Sequence, residues 1–99
     1  GTISYSRRAI TSTATASIED TLIGVSASAA LEIRLPSAGD YIDGQYFLIK
    51  DEAGNANIYN ITVKASGSET IDGQTSIVLE SSFVSVNLYS NGVDKFFIY

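Results

Sequence analysis

The chain has 99 residues, 44% of them hydrophobic and only 17% charged, with a net charge of −5. This is one domain's worth of chain, and it carries fewer charges than a soluble domain usually does. Arg7-Arg8 is the only adjacent basic pair, which argues against nucleic-acid binding by phosphate neutralisation and against a polybasic membrane contact. No apolar run has the length of a membrane-spanning helix. The start at Gly1-Thr2 reads as that of a segment cut from a longer protein.

Residues 1–18 are rich in Ser, Thr and Ala, with Ile10 and Ile18 as isolated apolar points. They read as a connecting segment holding one or two weak strands. Thr21–Ser26 is a strand candidate. Ala30–Leu35 is a better one, because Leu31, Ile33 and Leu35 share one face and Glu32 and Arg34 the other. Ala27–Ala30 is the one helix-like patch and is too short to stand alone. Pro36 ends the strand, and residues 37–44 form a loop. Gln45–Asp51 is a strand, Glu52–Asn55 turns the chain, and Asn57–Ala65 is expected to pair back, with Tyr59, Ile61 and Val63 on one face. Thr70–Gly73 is a short edge or turn. Ser76–Glu80 turns Ile77 and Leu79 inward. Phe83–Ser90 puts Val84, Val86 and Leu88 on one face. Asn91-Gly92 is the strongest two-residue hairpin signal, and 94–99 closes it. Phe96 and Ile98 fall on one face of this last strand and Phe97 and Tyr99 on the other, so it is apolar on both sides. About seven to nine short strands with frequent turns form the all-β pattern of a β-sandwich or small jelly roll.

Without Cys or His, disulfides, thiolate and Ser-His-Asp nucleophiles, imidazole bases and nearly all zinc, copper and non-haem iron sites are excluded. A small domain with no disulfide finds support in oligomerisation. Asp51, Glu52, Asn55 and Asn57 surround Gly54. As a calcium loop this cluster lacks the carboxylates at alternating spacing that the ion requires, and adjacent Asp51 and Glu52 point apart in a strand. The plainer reading is a hairpin loop whose acids stay solvated. Eleven acids allow many glycosidase-like pairs and single out none. Asn60-Ile61-Thr62 is a glycosylation sequon in form only, inside an expected strand. The six tyrosines combine apolar faces with hydroxyls. Tyr41 and Tyr46 flank a loop and Tyr89 adjoins Asn91-Gly92; with Asn, Asp and Gln they would make a saccharide surface, or else fill the core or an interface.

In order along the chain come Leu35-Pro36, then G-x-x-F-x-I-K-D-x-x-G-N-A over 44–56, N-I-T-V over 60–63, T-I-D-G over 70–73 and S-V-x-L-x-S-N-G over 85–92, followed by an aromatic end. This succession over residues 20–99 resembles the C-terminal domain of tailed-bacteriophage tail fibres and tailspikes. Relatives often carry Trp after the S-N-G turn, where this chain has Phe96-Phe97. The resemblance implies a non-catalytic, antiparallel, jelly-roll-like β-sandwich that forms a homotrimer at the tail tip of the virion and touches bacterial surface polysaccharide, with any depolymerase activity upstream. Residues 1–19 would then connect to an upstream fibre or β-helix, and no cofactor is expected. Phe96, Phe97, Ile98 and Tyr99 are the expected core and trimer-interface residues. Tyr41, Asp43, Asn55, Asn57 and Asn91 are the expected glycan contacts on rim loops. The alternative is a monomeric carbohydrate-binding module attached to a polysaccharide-degrading enzyme, in which the Phe97 and Tyr99 face is a sugar platform.

Overall fold

The structure, a computed structural model, describes residues 5–99. It is nearly all β, with ten strands among the described residues: β1 (Arg7–Ile10), β2 (Ala14–Thr15), β3 (Leu22–Val25), β4 (Leu31–Arg34), β5 (Tyr46–Asp51), β6 (Ile61–Lys64), β7 (Thr70–Ile71), β8 (Ser76–Leu79), β9 (Ser85–Ser90) and β10 (Lys95–Ile98). One 3-10 turn, Ala38–Asp40, interrupts the loop after β4.

The strands form two mixed sheets. One has six strands in the order β1-β3-β5-β9-β10-β7, the other four in the order β2-β4-β6-β8. From β1 to β6 successive strands alternate between the sheets, and each lies parallel to the strand two before it. This part of the chain winds as a coil. Antiparallel pairing enters only afterwards, where β8 joins β6, β9 joins β5, and β10 joins β9. The expected all-antiparallel arrangement is therefore corrected: five of the eight strand pairings among the described residues are parallel. Alternation of apolar residues decides which face a side chain takes, but says nothing about strand direction. The expected β5–β6 hairpin is corrected for the same reason, since β5 and β6 lie in different sheets.

Both sheets contribute to one apolar core. Ile23, Val25, Phe47, Ile49, Val86, Leu88 and Phe96 come from the six-stranded sheet, and Leu31, Ile33, Ile61, Val63 and Leu79 from the other. Period-two alternation with β-branched and aromatic residues at the inward positions produces these faces. Ile10 and Ala16 are also buried in this core, so residues 7–16 pair in the sheets and pack with them. Arg7 of β1 reaches across β3 to an ion pair with Glu52 beyond β5. Gly24 of β3 leaves the room: a Cβ there would collide with the Glu52 carboxylate.

Candidate functional site

The polar cluster at 51–57 is a structural staple. Asp51 ends β5 on its inward side and is fully buried. Its Oδ1 accepts from the backbone N–H of Gly54 (3.0 Å) and Asn55 (3.3 Å), and its Oδ2 from Ala56 (3.0 Å) and Phe83 (2.9 Å). Burial alone would raise its pKa, but the four donors outweigh this and hold it below the usual aspartate value. The expectation of a solvated acid is thus corrected for Asp51, while Glu52 is exposed as expected. A carboxylate committed to four amides is also lost to the calcium reading. Gly54 closes the turn at φ +77°, with the Phe83 ring where a Cβ would stand. Among the described residues no group of three or more acids is gathered as a metal ligand set.

The five expected glycan residues do not form one surface. Tyr41 is 4% exposed. Its ring stacks on Phe47 at 5.4 Å and meets Phe96 edge-on at 5.7 Å, which makes it a core residue and corrects its place as a rim contact. Its buried hydroxyl has no hydrogen-bond partner among the described residues, and burial, then the charge of Asp20, pushes its pKa up. Asp43 is exposed and lies against the 91–94 loop, where the space for a Gly92 Cβ is closed by the Asp43 backbone 2.9 Å away. Buried Ser90 sets this proximity: its Oγ donates to the Ala38 carbonyl (2.8 Å) and accepts from the Gly92 N–H (2.9 Å). Asn91 Oδ1 accepts from the N–H groups of Val93, Asp94 and Lys95. The side chain organises its own loop, and Asn91 to Lys95 is a wider connection than the expected two-residue turn, since Ser90 pairs with Phe96. Asn55 and Asn57 lie beyond the other end of β5, a strand of roughly 17–20 Å. The Asn55 side chain donates to the Ala27 carbonyl (3.1 Å); Asn57 is exposed.

The four terminal residues divide by face. Phe96 is fully buried. Phe97 is half-buried on the outer face, its ring 5.4 Å from Tyr89, and Tyr89 lies 5.7 Å from Tyr99. Ile98 and Tyr99 are exposed, Tyr99 by 60%. Cross-strand register extends this patch. Phe97 pairs with Tyr89 and Tyr89 with Tyr46, while Asn87 pairs with Leu48 and Leu48 with Leu22. The outer face of the six-stranded sheet therefore carries two rows, an aromatic one from β5 to β10 (Tyr46, Tyr89, Phe97) and one from β3 to β9 (Leu22, Leu48, Asn87). Tyr46 is 50% exposed, and its pKa is raised first by hydrogen bonding to the Tyr5 hydroxyl, with Tyr99 as a lesser cause. Tyr5, Tyr46 and Tyr99, with Leu22, Leu48, Thr21 and Asn87, line a surface depression of about 190 Å³. A wider one of about 370 Å³ adjoins it past Tyr5 and Tyr46 and reaches Ile42, Asp43 and Gln45.

Sequence reasoning missed Tyr5, Leu22 and Leu48 as members of this surface, because only the parallel β1–β3–β5 pairing brings them together. The signal available was the outward phase of Tyr46 and Leu48 against inward Phe47 and Ile49. No protein-family model matches the chain, and no curated protein matches it in sequence.

Proposed function

We propose that the chain is a non-catalytic C-terminal domain of a tailed-phage tail fibre or tailspike. In this reading it is a jelly-roll-like β-sandwich that forms a homotrimer at the tail tip and contacts bacterial surface polysaccharide. The observation that carries the proposal is the apolar, aromatic outer face of the six-stranded sheet. Single exposed apolar residues need no explanation, but a continuous run of Leu22, Leu48, Tyr46, Tyr89, Phe97 and Tyr99 is what an interaction surface presents. Copies packed over the β9–β10 half would bury Tyr89 and Phe97. A trimer would also multiply weak contacts with a repeating polymer.

Light scattering behind a sizing column, over a wide dilution range, tests this. The expected mass is three times the 10.5 kDa of the chain, and Phe97→Ser should lower it while leaving the β-sheet circular dichroism intact. A wild-type monomer would overturn the assembly mechanism. It would favour a monomeric carbohydrate-binding module, the reading supported by the exposed tyrosine rings.

A further inference from the structure

We infer that the β3–β5 half of the outer face is a saccharide-binding groove for uncharged sugars. Leu22 and Leu48 form its floor, Tyr5, Tyr46 and Tyr99 its walls, and Asp43 its outer rim. This rests on the reading of the domain as a polysaccharide-contacting module and names where the contact lies and what chemistry it selects.

Three observations support the assignment. The first is the composition of the lining. A sugar ring has an apolar C–H face and a belt of hydroxyls, and it is matched by aromatic faces beside donors and acceptors. Here three phenols accompany Leu22 and Leu48 in the lining, with Thr21 and with Asn87, the cross-strand partner of Leu48. An interface between copies of the chain would place apolar groups against apolar groups. That description fits the Tyr89 and Phe97 side, where the rings contact one another, better than the side where Tyr5, Tyr46 and Tyr99 line a depression together with Thr21 and Asn87.

The second is shape. The 190 Å³ depression opens past Tyr5 and Tyr46 into the 370 Å³ one along loop 42–45. An elongated trough with two connected parts accommodates successive units of a chain. Its second wall is rigid: Gln45 Oε1 accepts from the Ile42 N–H (3.1 Å) and Gln45 Nε2 donates to the Ile18 carbonyl (2.7 Å).

The third is charge. Among the described residues neither depression is lined by Lys or Arg, and the one ionisable side chain besides the tyrosines is Asp43. Arg7, whose strand partner is Leu22, has its guanidinium committed to Glu52. Lys50 donates to the Phe83 carbonyl at the far end of β5. With a net charge of −5, the groove repels uronic and sialic acids and accepts neutral hexoses and N-acetylhexosamines.

The test is saturation-transfer NMR and calorimetry on the 99-residue protein. One panel holds neutral oligosaccharides (gluco-, galacto-, manno- and N-acetylglucosamine tetramers), and the other holds oligogalacturonate and oligosialic acid. Tyr46→Ala and Tyr46→Phe are compared with wild type and with Ile58→Ala, an exposed residue beyond the opposite end of β5, and the molar mass of each is recorded. The expected result is binding to a neutral member, weakened about tenfold or more in Tyr46→Ala, largely restored in Tyr46→Phe and unchanged in Ile58→Ala, at unchanged mass. Binding indifferent to Tyr46→Ala would overturn the groove and leave polysaccharide contact elsewhere on the domain. A preference for the acidic panel would overturn the ligand class. Loss of the oligomer in Tyr46→Ala would reassign this half to the contact between copies. No binding to either panel would overturn both the groove and the polysaccharide contact it rests on.

Discussion

Replacing Asp51 removes one acceptor that satisfies four backbone donors in two separate segments, 54–56 and Phe83. Hydrogen bonds to a charged group contribute roughly 1.5–3 kcal/mol each, and a buried donor left unpaired costs about 1–3 kcal/mol. The four share one carboxylate and the Asn55 contact is long, so their loss is less than additive. Asp51→Ala should therefore cost about 4 kcal/mol, a large part of the stability of a domain this size, and lower Tm by roughly 20 °C. Asp51→Asn keeps one acceptor oxygen and should cost about half as much. The effect also depends on pH. The folded-state pKa lies below the ordinary value of 3.8, so the carboxylate's contribution is complete above the unfolded pKa and fades as pH falls through the folded one. The Tm gap between wild type and Asp51→Asn should be widest near neutral pH and narrow below about pH 4. Calorimetry from pH 7 to pH 2 measures both quantities. A Tm loss under about 5 °C for Asp51→Ala, or a gap unchanged over that pH range, would refute the staple.

Tyr41→Phe deletes a buried hydroxyl without a partner among the described residues and keeps the ring stack, so it should stabilise the fold by about 1 kcal/mol in urea unfolding; destabilisation would mean that the hydroxyl is satisfied. Gly54→Ala demands φ +77° of an L-residue and sets a methyl 2.5 Å from the Phe83 ring. It should cost about 2–3 kcal/mol, and an unchanged denaturation midpoint would contradict this geometry. Ser90→Ala leaves the Ala38 carbonyl and the Gly92 N–H without their shared partner. It should cost about 1–2 kcal/mol and speed amide exchange at Gly92 more than at Ala56, at the other end of β5; uniform acceleration would show that Ser90 does not hold these loops.

Strand positions and faces were legible wherever alternation was clean. Leu31, Ile33, Ile61, Val63, Val86 and Leu88 all point inward as their spacing requires. Pairing was not legible. A parallel neighbour two strands back leaves no turn signature, so Glu52–Asn55 looked like a hairpin although its flanking strands enter different sheets. The role of Asp51 had one trace, an acid three residues before a positive-φ glycine, the spacing of a side-chain-closed turn. Tyr41 was misplaced because a tyrosine beside a loop gives no sign of whether its ring turns toward solvent or toward Phe47 and Phe96. Asp43 and Asn91 were correctly placed in loops. That these loops touch, far from Asn55 and Asn57, depends on the β5–β9 register, which no local pattern encodes.

That register has a consequence for synthesis. β9 lies between β5 and β10 in the six-stranded sheet, yet it follows eight other strands in the chain. On the ribosome the coil of β1 to β6 can wind as it emerges, but the inner edge of β5 waits for residues 85–90. During that wait, inward Phe47 and Ile49 and the unpaired backbone of β5 are open to any passing strand, the situation in which nascent chains associate wrongly. When they arrive, β9 pairs with β5 and β10 brings Phe96 against Tyr41 and Phe47. Truncation a few residues inside β9 should thus convert a folding chain into an aggregating one.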